Sequence, residues 1–318
     1  MGLTEQLVER AKKINATIIL PEANLDDRVK EACEIIIKEN ISKIIIFGKK
    51  EEFSKLLQTS ENVKIIDTET FNTEELATQL YELRKHKGLT LLEAQELIKQ
   101  PTYLAMMMLK NCMADGVVAG AKFSTADTLK PALQIIKTKP DKSVVTGCML
   151  LTKGEETLVF GDVSLIENPT SEELKDIAIS TAEFADKVVG IEPKVALLSY
   201  STKGSAKSEM VSKVQKAAEL CKNSNYIIDG EMQVDSALDK STAIKKGVTS
   251  EVGGNANVLI FPDLDAGNIG YKLVARLGGY TAIGPIMLNF NKPVNDLSRG
   301  CNVKEIVNTV CITKLQIE

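Results

Sequence analysis

Short runs of valine, isoleucine and leucine alternate with amphipathic helical patterns along most of the 318-residue chain. In the first half "ATIIL" (16–20) precedes "DDRVKEACEIIIKEN", and in the second half "KVALLS" (194–199) precedes "SAKSEMVSKVQKAAELCK". Parallel strands that are covered by helices on both faces read as continuous apolar runs of this kind. The alternation therefore predicts an α/β fold with mainly parallel sheets.

One stretch, 143–165, breaks the alternation. Two β-rich runs flank the turn "TKGEE", which predicts an antiparallel hairpin. The chain is long enough for about two domains of ~150 residues each. We therefore expect one domain to end and another to begin near this hairpin.

Composition excludes several classes of protein. The net charge is −4, and the sequence shows no basic stretch of the kind that binds nucleic acid. No apolar run approaches the ~18 residues that a membrane span needs. The N-terminus lacks an apolar signal core, and the six cysteines lie at least ten positions apart, without any C-x-x-C pair. These features predict a cytoplasmic protein that binds neither nucleic acid nor membranes.

Common cofactor and metal motifs are missing. No two glycines have the G-x-G spacing of the dinucleotide fingerprint. His86 is the only histidine and lies in the basic stretch "LRKHKG", where a solvated helix end is the simplest explanation. We therefore predict no metal site and no tightly bound cofactor.

Four loops join predicted strand ends to helix starts, where ligands of parallel α/β folds gather and where helix N-termini suit phosphate. The first loop, 120–131, offers Ser124, Thr125 and, one turn into the helix, Lys130. Helix capping, with Asp127 as the partner of Ser124, is the alternative explanation of these hydroxyls.

The second loop, 197–208, resembles an anion-cradling turn before a helix that we expect to begin near Ser205. Its candidate substrate-binding residues are Ser201, Thr202, Lys203 and Gly204.

The third loop, 260–272, contains Asp265, a credible helix N-cap, and two glycines that permit close backbone approach. We take Asp265 and Asn268 as candidate substrate contacts. A purely structural role is equally compatible with the sequence.

The fourth stretch, "KPVNDLSRGCNVKEI" (292–306), predicts an extended run, a corner at residues 298–300 and then a helix. Arg299 offers a planar fork that matches two phosphate oxygens. Ser298 has the alternative of a turn residue, and Glu305 has that of a capping box with Asn302.

These loops, in this order and spacing, resemble the phosphate acetyltransferase (phosphotransacetylase) family. The resemblance covers nearly the whole chain and is densest in "DGVVAGAKFSTADTLKPALQIIKT", "LLSYSTKGSAKSEMV" and the run "ANVLIFPDLDAGNIGYKLVARLGGYTAIGPIMLNFNKPVNDLSRGC". It implies reversible acetyl transfer between acetyl phosphate and coenzyme A, so the expected small-molecule partners are CoA, acetyl phosphate and phosphate.

The resemblance also implies an architecture similar to that of the isocitrate and isopropylmalate dehydrogenases. We expect two α/β/α domains, a homodimer and an active site in the cleft between the domains. The expected N-terminal domain covers 1–145 together with a returning C-terminal helix at 303–318, and the second domain covers 146–302.

Catalytic roles follow from the same resemblance. Arg299 matches the phosphate-binding arginine, Ser298 the serine that supports the tetrahedral transition state, and Arg84 an arginine of the substrate cleft. Glu305 stands where most members have an aspartate that is proposed as the base for the CoA thiol. Lys130 stands where a second arginine is usual. Lysine keeps the positive charge, but it lacks the planar guanidinium that binds two oxygens at once.

Direct attack by CoA in a ternary complex is the expected mechanism, because Cys301 is the only cysteine or histidine in these loops. Cys301 is better explained as a small buried apolar residue. The alternatives are a phosphate propionyl- or butyryltransferase and a weakly catalytic acyl-CoA-binding protein. An oxidoreductase is disfavoured because neither a metal cluster nor a nicotinamide motif is present.

Overall fold

The computed structural model describes residues 2–317 and has the alternating strands and helices that the sequence predicts. The strands are β1 (Thr17–Leu20), β2 (Lys43–Phe47), β3 (Val63–Ile66), β4 (Gly116–Ala119), β5 (Thr146–Lys153), β6 (Glu156–Gly161), β7 (Lys194–Leu198), β8 (Ile227–Met232), β9 (Val258–Ile260), β10 (Thr281–Leu288) and β11 (Val294–Asp296).

The α-helices are α1 (Leu3–Lys12), α2 (Asp27–Lys38), α3 (Lys55–Thr59), α4 (Glu74–Arg84), α5 (Leu91–Leu97), α6 (Pro101–Lys110), α7 (Thr125–Ile135), α8 (Ser171–Glu183), α9 (Glu209–Leu220), α10 (Val234–Leu238), α11 (Lys240–Lys245), α12 (Leu264–Gly278) and α13 (Val303–Leu315). Short 3₁₀ turns lie at Lys50–Glu52 and Lys85–Lys87, and a π-helical turn lies at Phe184–Val189.

The chain divides into two units. The first unit contains Leu3–Thr138 together with the chain from Phe290 onward, and the second contains Lys139–Asn289. Residues 290–302, which we expected in the second domain, therefore lie in the first unit. The physical reason is that β11 pairs in parallel with β4 and so joins the first sheet.

The first unit is built on a five-stranded sheet in which every strand pair is parallel. The strand order is β11-β4-β1-β2-β3. Ile18, Ile19 and Leu20 of the central strand β1 are fully buried, as expected for a sheet that is covered on both faces. Because β1, β4 and β11 are neighbours, the loops that follow them meet at one edge of the sheet.

The second unit is built on a six-stranded mixed sheet in the order β10-β5-β6-β9-β7-β8. Strand β5 runs antiparallel to both of its neighbours, whereas β6, β9, β7 and β8 are mutually parallel. The hairpin predicted within 143–165 is confirmed as β5 and β6. The predicted α/β class with mainly parallel sheets is confirmed as well.

Two helices begin at the capping residues that the sequence predicts, and two others begin at different residues. The capping boxes Ser124/Asp127 and Asn302/Glu305 are both present. Helix α9 begins at Glu209 after its N-cap Ser208, four residues later than the expected start near Ser205. The N-cap of α12 is Asp263 and not Asp265, because the Asp263 carboxylate accepts a hydrogen bond from the Ala266 N–H at 2.9 Å.

Gly267 allows helix α12 to approach strand β6 closely. A Cβ atom on Gly267 would lie 2.2 Å from the carbonyl oxygen of Asp162, a backbone atom that has little freedom to move. We predict that Gly267→Ala lowers the free energy of unfolding by about 2 kcal/mol or more, although Gly→Ala inside a helix ordinarily raises it by about 1 kcal/mol. Denaturant unfolding measures the change.

The matched control is Gly278→Ala at the end of the same helix, where the added Cβ would meet only side-chain atoms, those of Tyr280 at 3.2 Å and of Val274 at 3.8 Å. This control should change the free energy of unfolding far less. A stabilised Gly267→Ala variant would contradict the close approach.

Candidate active site

A buried carboxylate organises the loop between β4 and α7. Glu22, which follows β1 and is 1% exposed, accepts four backbone N–H bonds from consecutive residues of this loop. Its Oε2 accepts from Gly120 at 2.8 Å and Ala121 at 3.0 Å, and its Oε1 accepts from Lys122 at 2.8 Å and Phe123 at 2.9 Å. Four charge-assisted bonds offset the cost of burying the carboxylate and hold the loop in one conformation.

A single guanidinium ties the corner (298–300) to this loop. Nη1 of Arg28 donates to the carbonyl oxygens of Arg299 at 2.9 Å and Cys301 at 2.6 Å. Nη2 donates to the carbonyl oxygen of Ala121 at 3.0 Å, and the guanidinium also forms an ion pair with Asp26 at 2.7 Å. The planar fork of arginine allows one side chain to bind these segments at once.

The two residues that we predict at the centre of catalysis lie on this fixed corner. Ser298 and Arg299 are both exposed. The Ser298 Oγ accepts a hydrogen bond from the Gly300 N–H at 3.2 Å, so its alternative role as a turn residue is realised. The Arg299 side chain forms no ion pair within residues 2–317, and its guanidinium is therefore available to an anion.

Asp296 lies directly beneath the corner, at the end of β11. It is 3% exposed, and its Oδ1 has no hydrogen-bond partner in the described part of the chain. Burial raises the pKa of Asp296 to about 6, and the nearby charge of Glu22 acts in the same direction. Gly120 passes so close that a Cβ there would lie 2.2 Å from the Asp296 Oδ1.

Glu305 and Cys301 lie where the corner enters helix α13. One carboxylate oxygen of Glu305, Oε2, accepts the Asn302 N–H at 3.1 Å, and the Glu305 N–H donates to the Asn302 side chain at 3.0 Å. Glu305 therefore forms the capping box with Asn302, and this capping box uses only the Oε2 atom of its carboxylate. Burial raises the pKa of the Cys301 thiol to about 11, which disfavours the thiolate that a nucleophile needs.

Arg84 and Lys130 belong to neighbouring helices of the first unit. Arg84 is half-buried at the end of α4, and its charge reaches Tyr103 of α6. The Tyr103 hydroxyl lies 3.1 Å from Oε1 of Gln134 on α7. Lys130 lies one turn before Gln134 on the same face of α7 and is exposed. Helices α4, α6 and α7 pack against one another, so Arg84 and Lys130 lie on adjacent helices of the same unit.

In the second unit, the loop after β7 is held by its own side chains. The buried Ser201 hydroxyl donates to Glu231 at 2.9 Å, and the Gly204 N–H donates to the same Glu231 Oε1 at 2.7 Å. Thr202 Oγ1 accepts the Gln233 N–H at 3.0 Å, and the Lys203 ammonium forms an ion pair with Asp229. These hydroxyls and this charge are engaged within the protein.

The predicted residues of the third loop lie in the first turns of α12. Asp265 is exposed and forms no ion pair in the described chain. The Asn268 side chain donates to the carbonyl oxygen of Val163 at 3.0 Å, which fastens the helix to the loop after β6.

Three important residues, Glu22, Arg28 and Asp296, escaped the sequence analysis. A signal for Glu22 existed, since this acidic residue stands two positions after the buried run "ATIIL", at the ligand-binding end of a strand. Asp296 had a comparable signal within "PVNDLSRG". Arg28 had none, because the carbonyl oxygens that it joins belong to residues 93 and more positions away.

Metal and membrane features are absent from the described chain. Residues 2–317 contain no cluster of three or more His, Cys, Asp or Glu side chains that could hold a metal ion. None of the described helices is both long and apolar enough to cross a bilayer.

Comparison with known proteins identifies the family. Residues 2–314 match the family model described as Phosphate acetyl/butaryl transferase. The chain belongs to this family. The predicted family and the prediction of an acyltransferase are therefore confirmed.

Individual relatives match over their whole length. The chain is 47% identical to phosphate acetyltransferase of Clostridium acetobutylicum, covering 100% of this chain and 99% of the relative, and 45% identical to that of Acetivibrio thermocellus with the same coverage. The crystal structure of a phosphotransacetylase from Streptococcus pyogenes superposes with a TM-score of 0.93 at 41% identity, covering 99% of this chain and 98% of that one.

The buried Asp296 predicts a pH-dependent stability. Its folded-state pKa of about 6 exceeds the ordinary value of 3.8, so its contribution to stability is present below pH 4 and is lost as the pH rises through 6. In the variant Asp296→Asn the side chain carries no charge at any pH between 4 and 7. The free energy of unfolding of the variant minus that of the wild type should therefore rise by roughly 2 kcal/mol between pH 4 and pH 7.

Urea unfolding at a series of pH values measures this difference. A difference that stays constant from pH 4 to pH 7 would show that Asp296 titrates normally.

Proposed function

We propose that the chain is a phosphate acetyltransferase that catalyses acetyl-CoA + phosphate ⇌ CoA + acetyl phosphate. The observation that carries the proposal is Arg299, an exposed guanidinium without an ion-pair partner in residues 2–317, on a corner whose backbone Arg28 fixes. The full-length similarity to relatives named phosphate acetyltransferase supports the same reaction.

In the proposed reaction, Arg299 binds the phosphate group. A guanidinium forms two parallel hydrogen bonds to phosphate oxygens and neutralises the charge that builds up as phosphate departs. The sulfur of CoA attacks the carbonyl carbon of acetyl phosphate, the C–O bond to phosphate breaks, and the thiol loses its proton. Ser298, beside Arg299, supports the negative oxygen of the tetrahedral transition state.

Glu305 is the proposed acceptor of the thiol proton. Full transfer from a thiol of pKa ~8.5 to a free glutamate of pKa ~4.3 costs about 6 kcal/mol, out of a barrier of about 16 kcal/mol for ~10 turnovers per second. A thiolate stabilised by Arg299 reduces that cost. The capping box leaves Oε1 of Glu305 without a partner in the described chain, so one oxygen remains for the thiol.

The remaining predicted residues are proposed substrate contacts. Arg84 and Lys130 supply positive charge for the phosphates of CoA or acetyl phosphate, and Ser124 and Thr125 lie at the N-terminus of α7, which favours anions. In the second unit the proposed contacts are Ser201, Thr202, Lys203, Gly204, Asp265 and Asn268. Since the first three side chains are engaged internally, we assign their effect to the shape of the loop that they hold.

Two finer features belong to the same proposal. A cytoplasmic location agrees with six cysteines that are free in the described chain. A homodimer is proposed from the family resemblance. Transfer of propionyl or butyryl groups is the alternative reaction, and weak catalysis is the alternative that the changes at Glu305 and Lys130 suggest.

The direct test measures the release of free CoA thiol from acetyl-CoA when phosphate is added. We predict phosphate-dependent release by the wild-type chain, and a loss of at least ~100-fold in Arg299→Gln, the scale of removing one charge-stabilising donor. Arg299→Lys should recover only part of the loss, because lysine lacks the fork. The matched control is Lys50→Gln, which removes an exposed charge from the same unit and should retain wild-type activity.

The outcomes separate the alternatives. No thiol release by the wild type at saturating acetyl-CoA and phosphate would contradict the proposed reaction, and faster transfer from propionyl or butyryl phosphate would favour the alternative acyl groups. Near-normal activity of Arg299→Gln would remove Arg299 from the site.

A further inference from the structure

A groove of about 690 Å³ lies on the first unit, where helices α1, α2 and α13 line it. Its volume falls within the range of roughly 300–1,000 Å³ that is typical of small-molecule sites. None of the residues to which we assign a part in acetyl transfer lines this groove. An occupant of the groove would therefore be a ligand other than the substrates at the proposed active site.

The middle of the groove is apolar. Val8 of α1, Ile35 of α2 and Val307 of α13 all line it. Val8 and Ile35 each stand midway between two other lining residues of their own helix, and both are half-buried. Aliphatic surface thus remains open to a ligand along the length of the groove.

One polar side chain lies among these apolar residues. Asn308 lines the groove and is only 7% exposed. Its side-chain amide forms no hydrogen bond to any residue from 2 to 317. A buried amide without a partner costs free energy, and buried polar groups of native proteins almost always have a partner. A ligand in the groove can supply this missing hydrogen bond.

The lining of the groove is acidic. Four glutamates and two lysines line it, so its net charge is −2. The Lys12 Nζ forms an ion pair with Glu9 at 2.9 Å, and these two charges offset each other. Glu31 and Glu39 are exposed, and neither forms an ion pair in the described chain. The groove therefore favours a positively charged occupant.

The two unpaired carboxylates define the length of this occupant. Glu31 and Glu39 lie eight positions apart on α2 and its C-cap, which places their Cα atoms about 12 Å apart along the helix axis. The C-terminal end of α2, where Glu39 stands, also favours a cation through the helix dipole. An extended aliphatic chain advances ~1.2 Å per bond, so about ten bonds join two cationic ends at this separation.

We infer that this groove binds a linear aliphatic polyamine in its protonated form. The terminal ammonium groups pair with Glu31 and Glu39, and the methylene groups lie against Val8 and Ile35. An inner nitrogen donates a hydrogen bond to the Oδ1 atom of Asn308. Spermidine has this length and this inner nitrogen. The inference does not rest on the proposed reaction, because binding is measured without turnover.

Isothermal titration calorimetry of the full-length protein with three amines tests the site. Spermidine should bind. Diaminooctane has the same length but no inner nitrogen, and it should bind about 5-fold more weakly because it leaves the amide of Asn308 unpaired. Putrescine is too short to reach both carboxylates, so it should bind more than ~10-fold more weakly than spermidine.

Changes of charge should act in opposite directions. Glu31→Gln and Glu39→Gln should each weaken spermidine binding by about 5-fold, the upper scale of an exposed ion pair. Lys304→Gln removes an unpaired positive charge from the lining and should strengthen binding. The matched control is Glu34→Gln, which removes a carboxylate of the same helix that does not line the groove and should leave binding nearly unchanged.

Asn308→Leu replaces the amide by an apolar side chain of similar size. It should lower the affinity for spermidine to that for diaminooctane, and it should raise the midpoint of urea unfolding because an unpaired buried amide is removed. Far-ultraviolet circular dichroism confirms that each variant is folded. The inference is overturned by a wild-type protein that does not bind spermidine at millimolar concentration, by equal affinity for the three amines, or by a control variant that weakens binding as much as Glu31→Gln.

Discussion

The buried carboxylate of Glu22 is the constraint on which the geometry of the first unit depends. It accepts four consecutive N–H groups of the β4–α7 loop and thereby fixes the start of α7. Arg28 then joins this loop to the corner that carries Ser298 and Arg299. Because these bonds lie within the protein, the corner is preorganised before substrate binds, which is the condition under which fixed charges stabilise a transition state most.

The second unit uses the same arrangement at a different sheet edge. Glu231, which is 2% exposed at the end of β8, accepts the Ser201 hydroxyl and the Gly204 N–H of the loop that follows the neighbouring strand β7. In both units an acidic residue at the carboxyl end of one strand, Glu22 just after β1 and Glu231 near the end of β8, thus fixes the loop after an adjacent strand. A buried, hydrogen-bonded carboxylate orders the backbone of a loop from the protein interior. The exposed side chains of the loop therefore stay accessible to a ligand.

Local signals in the sequence predicted what local interactions decide. The β5–β6 hairpin, the capping boxes at Ser124 and Asn302, and the corner before α13 all follow from residues a few positions apart. Contacts between distant segments were beyond such reasoning. Glu22 and Gly120 are 98 positions apart, and the β11–β4 pairing, which places residues 290–302 in the first unit, depends on sheet topology. Family resemblance supplied the roles of Ser298, Arg299 and Glu305, which composition and spacing alone left open.

Hydrogen exchange of the amides of residues 120–123 tests the central claim most directly. These amides belong to a loop, yet the Glu22 carboxylate binds each of them. In the substrate-free wild-type protein we predict protection on the order of 10³-fold, equivalent to about 4 kcal/mol of local opening free energy. This protection should be lost in Glu22→Gln. Exchange of the four wild-type amides at the rate of an unstructured peptide would contradict a preorganised site.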